Sequence, residues 1–134
     1  MTALKTEIEA YSDERNLWVL DKSISNSAGN LSLHLIGNLN AFVGAEFGNA
    51  GYVRQRDLEF SQKHVPRKQL LQMLDETIET VLMSLDTLSD DQLEEDYPKI
   101  VFKEKKSNAF FLIHITTHLA YHLGQINYHR RLLD

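Results

Sequence analysis

The segment FFLIHITTHLAYHLGQINYHRRLLD, residues 110–134, limits the possible folds more than any other, because its apolar side chains recur every three or four residues. That spacing is typical of a helix whose apolar face is buried against other helices. Ser107 stands shortly before the segment and is expected to cap this last helix. The same helix also carries imidazoles at or beside its buried face: His114, His118, His122 and His129.

The histidines of the last helix follow a spacing that suits a shared metal ion. His114, His118 and His122 are four residues apart, so each is rotated by only about 40° from the one before it. Two histidines at positions i and i+4 can bind one divalent cation together. A third ligand must come from another helix, and His34 is the other histidine predicted to face inward from one. The sequence therefore predicts a metal site formed by His34, His118 and His122.

The histidines also have a structural interpretation, in which each is bonded to a backbone carbonyl or to a carboxylate. His114 lies one turn before the pair and His129 lies near the end of the helix, so neither is assigned as a ligand. His64 falls in a loop and is expected to be a solvated surface residue. Leu119 follows His118 where the zinc-protease motif has its glutamate, so peptidase chemistry lacks its general base.

Three other segments have helical periodicity, and with the last helix they predict an all-α four-helix bundle. We expect a short helix that ends near Ser12, a second from Asn30 to about Phe47 with Ser25 or Ser27 as its cap, and a third from Pro66 to Leu88. The third helix should bury the apolar residues that repeat along it, which are Leu70, Leu74, Ile78, Val81, Leu85 and Leu88. Leu17 and Trp18 are expected to enter the core from an irregular segment. Residues 48–65 are long enough for a crossover, so the second and third helices can run parallel.

Several residues near the predicted site have expected roles of their own. Arg54 and Arg56 in GYVRQRDLEFS could hold a carboxylate-bearing substrate, or arginine could pair with Asp57 and pin the long connection to the bundle. Gln125 could bond the second nitrogen of a metal-binding histidine, or it could be solvated or bonded to a carbonyl. A glycine inside a helix costs about 1 kcal/mol relative to alanine, so Gly124 is expected to permit close helix contact.

Composition is that of an ordinary globular protein and excludes several kinds of site. The 134 residues suffice for one domain, over residues 1–134. The absence of cysteine excludes disulfides, thiolate ligands and cysteine nucleophiles. The formal net charge of -5 argues against nucleic acid as a partner. The N-terminus has no apolar signal region and no later run is long enough to span a membrane, so we expect a cytoplasmic location and no membrane partner.

The motifs HLAYHLGQI, LHLIGNL and GYVRQRDLEFS together resemble the DinB-like (also YfiT-like) superfamily of small four-helix metalloproteins. The resemblance extends from about Asn26 to the C-terminus. It implies an up-down-down-up bundle with a long crossover between the second and third helices, and a divalent metal bound by His34, His118 and His122. It also implies homodimers and, for some members, thiol-dependent S-transferase activity on low-molecular-weight thiols. The first helix is shorter than the family pattern, so substrate-pocket features from that helix do not transfer.

The residues and the resemblance together lead us to expect a metal-dependent enzyme that acts on a small-molecule substrate, either as a thiol-dependent S-transferase or as a hydrolase. Three imidazole ligands leave coordination positions open, as they do in catalytic sites. Zn²⁺ and Ni²⁺ both suit imidazole, and the order of affinities alone does not choose between them. The alternative is a non-catalytic helical module that dimerises or binds a partner, with its histidines satisfied by internal hydrogen bonds.

Overall fold

Helices make up almost all of the regular structure in the computed structural model, which describes residues 1–134. The α-helices are α1 (Thr2–Glu9), α2 (Ala28–Leu39), α3 (Ala45–Gly48), α4 (Arg56–Ser61), α5 (Arg67–Asp86), α6 (Asp90–Glu94) and α7 (Asn108–Leu133). Glu14–Trp18 is a 3-10 helix, and Asn40–Gly44 is a π-helix that joins α2 to α3. No helix combines the length and the apolar composition that crossing a bilayer requires. The one β feature is an isolated bridge between Asp96 and Ser107, so the prediction of an all-α protein is confirmed.

Serine side chains begin the two helices that carry most of the histidines. Ser27 Oγ accepts a hydrogen bond from the backbone N–H of Asn30 at the start of α2. Ser107 Oγ accepts one from the backbone N–H of Phe110 at the start of α7. Each bond satisfies a backbone donor that has no partner within its own helix. The predicted cap at Ser107 is confirmed, and Ser27 rather than Ser25 caps α2.

The second predicted helix is continuous along the chain but changes its winding at the π-helix. Asn40, where the π-helix begins, donates from its side-chain amide to the carbonyl of Ile36 at 3.0 Å and to Thr77 Oγ1 of α5 at 2.7 Å. Further along, a Cβ atom on Gly48 would lie 2.1 Å from Ser84 Oγ. The absence of a side chain at this position therefore allows α5 to approach closely.

Helix α5 buries part of the face that its apolar repeat predicts, together with two hydroxyl residues. Its N-terminal half buries Leu70 and Leu74, as expected. Its C-terminal half instead buries Thr77 and Ser84, while Leu85 of the predicted face is 38% exposed. Ile78 and Val81 of the predicted face are half-buried and pack against the core, so the prediction fails in this half at Leu85. Ser84 is buried because α5 packs closely against Gly48, and a short hydroxyl side chain fits this contact better than leucine does.

Two apolar clusters form the core. The larger one joins α1, the 3-10 helix, α2, α5 and α7, and it includes Leu17 and Trp18. These two residues are buried as predicted, although they lie on a 3-10 helix rather than in an irregular segment. The smaller cluster contains Tyr97 and Phe111, whose rings stack with centroids 3.7 Å apart. Both clusters include residues of α2 and α7, so these two helices are held together along their length.

The connection at residues 48–65, expected to be irregular, contains the short helix α4 packed against α2. The side-chain amide of Asn30 fastens it there by donating to the carbonyls of Glu59 and Gln62, each at 2.9 Å. A six-residue helix has too few positions to produce a recognisable periodic pattern, so the sequence did not predict it. Its packing brings the side chain of Glu59 beside His34.

The first helix connects the two sides of the molecule. Helix α1 contacts both α5 and α7, and α2 contacts the same two helices. Lys5 of α1 forms an ion pair with Asp75 of α5 at 2.7 Å, and Glu7 forms one with Arg130 of α7 at 2.8 Å. The framework that positions the histidines is therefore made of α1, α2, α5 and α7.

Candidate metal centre

His34 on α2 meets His118 and His122 on α7. One ring nitrogen from each of the three lies within 4.8 Å of the others. His34 Nε2 and His118 Nε2 are 3.0 Å apart, and the rings of His118 and His122 meet edge to face with centroids 4.5 Å apart. Imidazole nitrogens that bind one Zn²⁺ at about 2.0–2.1 Å are about 3.4 Å from each other, so small side-chain movements would let them share an ion. The three predicted ligands therefore lie close enough together to hold a metal ion.

The cluster is closed on one side and open on the other. His34 is 6% exposed, because α2 is buried between other helices. His118 and His122 are half-buried, and the neighbouring Tyr121 is exposed. A small molecule can therefore approach the histidines from the side of α7.

His118 and His34 are poor bases in this environment. Burial lowers the pKa of His118 to about 4, and the nearby imidazoles of His122 and His34 add to the effect because a second positive charge would be repelled. Burial also lowers the pKa of His34, although its contact with Glu59 acts in the opposite direction. Both rings are thus neutral at pH 7, which is the form that binds metal ions.

An acidic residue that the sequence did not single out contacts His34. Glu59 Oε2 lies 2.9 Å from His34 Nδ1, and both oxygens of Glu59 accept hydrogen bonds from the guanidinium of Arg54 at 2.6 and 2.7 Å. The expectation that arginine would pair with Asp57 is wrong, because Asp57 is exposed and Arg54 pairs with Glu59 instead. An ion pair thus holds the connection at residues 48–65 in place, as the structural interpretation expected, but the acidic partner is Glu59 rather than Asp57.

Gln125 supports the second histidine of α7. Its Oε1 lies 2.6 Å from His122 Nδ1, and its Nε2 lies 3.4 Å from the hydroxyl of Tyr121. A carbonyl oxygen can only accept, so His122 carries a proton on Nδ1 and leaves Nε2 free to bind an ion. Of the two roles expected for Gln125, the structure shows the contact with the second nitrogen of a histidine, His122.

Residues 2–134 match the family described as Protein of unknown function (DUF1572). The chain belongs to this DUF1572 family. No curated protein and no solved structure matches it. The DUF1572 match includes all three clustered histidines as well as Arg54 and Glu59.

Gly124 of the DUF1572 chain makes no close helix contact within the chain. A Cβ atom built on it would meet nothing within 4 Å, and the residue is exposed. The prediction was wrong because the helix turns this position away from α2 and towards solvent. The close approach occurs at Gly37 of α2 instead, where a Cβ atom would lie 2.2 Å from Glu59 Oε1.

The remaining histidines of the DUF1572 chain lie outside the cluster. His129 is buried, and its two nitrogens contact the hydroxyl of Tyr11 at 2.7 Å and the carbonyl of Val19 at 2.9 Å. It is a structural residue, as the alternative interpretation expected. His114 packs against aromatic rings, with its own centroid 4.8 Å from that of Phe102. His64 is exposed, as predicted.

Arg56 remains available at the surface near the cluster. It is exposed, forms no ion pair, and lies over the ring of Phe60 at 5.3 Å. The ring of Phe60 in turn lies 5.1 Å from that of His34. Of the two arginines expected to meet a substrate, Arg54 is engaged by Glu59 and Arg56 is not.

Proposed function

We propose that this DUF1572 chain binds one divalent metal ion through His34, His118 and His122 and acts on a small-molecule substrate at that ion. The observation that carries the proposal is the approach of three ring nitrogens to within 4.8 Å of one another. The helices that present them are held together by two apolar clusters, which favours a preformed site. The half-buried rings of His118 and His122 leave that site accessible from solvent.

The residues of the site favour catalysis over a purely structural role for the ion. Three protein ligands leave at least one coordination position for water or substrate, whereas structural zinc sites use four. A divalent cation bound there would favour the deprotonated form of a coordinated thiol or water molecule. The low pKa of His118 helps, since it keeps this ring neutral and able to donate its lone pair. We therefore propose a thiol-dependent S-transferase or a hydrolase, in line with the DinB-like resemblance.

We propose Zn²⁺ or Ni²⁺ as the ion. All three donors are imidazole nitrogens, which both of these ions accept. The nearest carboxylate, that of Glu59, is bonded to His34 Nδ1 and Arg54 rather than placed among the ligand atoms. Mg²⁺ and Ca²⁺ prefer oxygen ligands, so the donor set disfavours them.

A cavity that none of the three histidines lines, and that reaches the cluster only through Gln125, could hold the remote part of a small substrate, such as a low-molecular-weight thiol. It has a volume of about 460 Å³ and lies between residues 23–26 and α7. Gln125, which bonds His122, forms part of its wall together with Tyr128 and Leu31. The volume suits a small molecule, because ligand pockets commonly measure about 300–1,000 Å³.

For the topology we propose an up-down-down-up four-helix bundle, with α1, the α2–α3 helix, α5 and α7 as its members. Three close approaches between the second and third helices keep the same order, namely Asn40 with Thr77, Gly44 with Thr80 and Gly48 with Ser84. This order supports a parallel pair joined by a crossover at residues 48–65. By contrast, His34 meets His122 while Phe42 meets Phe111, which supports antiparallel α2 and α7.

We propose a homodimer that uses the outer face of α7. This face exposes an unusual number of large apolar side chains for one helix: Phe110, Ile113, Tyr121, Tyr128 and Leu132. Gly124 lies among them with open space above its backbone, so a second helix could approach closely there. A second copy is the occupant that the DinB-like resemblance favours.

The alternative function, a non-catalytic helical module, is favoured by one observation. The polar atoms of the cluster already contact one another, with His34 bonded to His118 and Glu59 and with His122 bonded to Gln125. Histidines satisfied in this way need no ion to be stable in a helical core.

Elemental analysis of the purified protein separates the two functions. After reconstitution with Zn²⁺ or Ni²⁺ and removal of excess ion, the proposed function predicts about one ion per chain for the wild type. His118→Ala should lose most of it, while His64→Ala, which changes an exposed histidine, should keep it. Sub-stoichiometric metal in all three proteins, with no gain on reconstitution, would favour the module.

A further inference from the structure

A buried carboxylate stands behind the candidate metal site. Glu59 is 5% exposed, and its oxygens contact His34 Nδ1 at 2.9 Å and the guanidinium of Arg54 at 2.6 and 2.7 Å. A charged group is buried only when it is paired and hydrogen-bonded. Arg54 supplies the opposite charge, and His34 supplies a further hydrogen bond.

The contact with Glu59 decides which nitrogen of His34 carries the proton. An ionised carboxylate can only accept, so His34 Nδ1 must donate to it. Arg54 Nη2 lies 3.2 Å from the same nitrogen, but it already donates to Glu59 Oε2 at the shorter distance of 2.7 Å. His34 Nδ1 makes two contacts, one with Glu59 at 2.9 Å and one with Arg54 at 3.2 Å. The contact with the Glu59 carboxylate is the shorter of the two and is charge-assisted. His34 therefore keeps its lone pair on Nε2, the nitrogen that faces His118.

The helix that carries His34 also holds Glu59 in place. Asn30, one turn before His34 on α2, donates its amide to the carbonyls of Glu59 and Gln62. Gly37, almost one turn after His34, provides the space for the carboxylate, since a Cβ atom there would lie 2.2 Å from Glu59 Oε1. Glu59 is thus fixed relative to the His34 ring from both sides.

We propose that Glu59 is a positioning residue for His34. It holds the ring in the Nδ1–H tautomer and in the orientation that points Nε2 at His118 and His122, and it makes Nε2 a better metal ligand. Arg54 supports this role by neutralising the carboxylate. The effect on metal affinity rests on the proposed function, whereas the tautomer is a property of the metal-free protein.

The tautomer is tested first, by ¹⁵N NMR of metal-free protein labelled at histidine. The wild type should show His34 with its proton on Nδ1. In Glu59→Gln the side-chain oxygen is expected to stay with Arg54 and turn the amide donor towards His34, so the proton should move to Nε2 in a large share of molecules. Glu7→Gln is the matched control, because Glu7 is also paired with an arginine, Arg130, but touches no histidine.

Metal affinity is then measured by competition with a chelator, using Zn²⁺ and Co²⁺ as probes. Glu59→Gln should bind about 10- to 100-fold more weakly than the wild type, as expected when an outer partner of a ligand histidine is removed. Glu7→Gln should bind like the wild type. Equal affinity in the wild type and Glu59→Gln would overturn the inference, and so would a wild-type His34 protonated on Nε2.

The two proposals fail in different ways. If the wild type binds neither ion but His34 is protonated on Nδ1, the metal site is wrong and the role of Glu59 in fixing the ring stands. If Glu59→Gln does not fold, the tautomer of the wild type and the affinity of Glu59→Asp decide the matter. The shorter side chain of Glu59→Asp keeps the charge next to Arg54 but withdraws the carboxylate from His34, so its affinity should also fall.

Discussion

The contacts that each histidine makes distinguish the candidate metal ligands from the structural histidines, which the residue type alone could not do. His34, His118 and His122 each point a ring nitrogen towards the other two, whereas both nitrogens of His129 contact other groups of the protein. The four-residue spacing on α7 alone would place His114 on the same side of the helix as His118 and His122, yet its ring lies against Phe102. A role as a metal ligand therefore depends on what the opposite helix presents, which is His34 in this chain.

His129→Leu should destabilise the fold and leave metal binding unchanged. The substitution removes a buried imidazole and leaves the hydroxyl of Tyr11 and the carbonyl of Val19 without their partner, at a cost of about 1–3 kcal/mol. Urea unfolding measures this, with His64→Gln as a surface control expected to stay within about 0.5 kcal/mol of the wild type. Loss of metal at unchanged stability would contradict the structural role of His129.

Glu7 should contribute stability that is lost in acid. Burial acts to raise the pKa of Glu7, but hydrogen bonds from Arg130 and Asn127 outweigh it, so the pKa is lowered in the folded protein. A lowered pKa means that the ion pair stabilises the fold above the unfolded value of about 4.3 and that this contribution disappears as pH falls through the folded value.

The measurement is urea unfolding of the wild type and Glu7→Gln between pH 7 and pH 2.5. The free energy of unfolding should be higher for the wild type at pH 7, and the difference should shrink as the pH drops below about 4. A difference that is constant across this range would show that the pKa of Glu7 is not lowered by folding.

At the level of the helices, periodicity predicts the long elements and misses the short one that supports the site. The caps at Ser27 and Ser107 and the long runs of α2, α5 and α7 follow from local sequence. Helix α4 does not, because its six residues have no periodic face and its position depends on contacts with Asn30. Asp57 and Glu59 look alike in the sequence, and only the folding of α4 onto α2 decides that Glu59 turns inward.

Gly37→Ala and Gly124→Ala should have opposite effects on stability, although both lie on helices that carry histidines. Alanine is the better helix former by about 1 kcal/mol at each position. At Gly37, however, the new Cβ would collide with the buried carboxylate of Glu59, and overpacking of this kind costs about 1–3 kcal/mol. At Gly124 the new Cβ would meet no other atom of the chain, so the full helix-propensity gain of alanine should appear in the free energy of unfolding.

Thermal and urea unfolding of the two variants check this pair. Gly37→Ala should be less stable than the wild type and Gly124→Ala more stable. Equal gains in both would contradict the close approach of Glu59 to α2. Because the proposed dimer would cover Gly124, the two glycine variants are compared in a background that also carries Ile113→Lys and Tyr128→Lys. A loss of stability in Gly124→Ala there would contradict the open space above its backbone.

At the level of the whole molecule, an apolar surface on α7 predicts self-association. Ile113 and Tyr128 are each 66% exposed, which is a high value for large apolar side chains on a helix. Light scattering during size-exclusion chromatography should give twice the mass of the 15.5 kDa chain for the wild type. Ile113→Lys combined with Tyr128→Lys should shift the protein towards the monomer. A monomeric wild type at concentrations of about 100 µM, well above the micromolar range of weak protein complexes, would exclude this dimer.

The sequence predicts the clustered histidines better than it predicts the residues around them. His34, His118 and His122 could be predicted because helical geometry places i and i+4 on one stripe and because few inward histidines were available to complete a set. Gln125 could be predicted for the same reason, since it lies three residues after His122 on the same helix. The partner of Arg54 could not, because ion pairing across a connection depends on where the backbone turns.

The most direct test of the metal site is anomalous X-ray scattering from crystals grown with Zn²⁺ or Ni²⁺, collected at the absorption edge of the ion. The proposed metal site should give one anomalous peak about 2.0–2.1 Å from a ring nitrogen of each of His34, His118 and His122. A peak at another place, or none while His34 Nε2 still contacts His118 Nε2 at 3.0 Å, would contradict it.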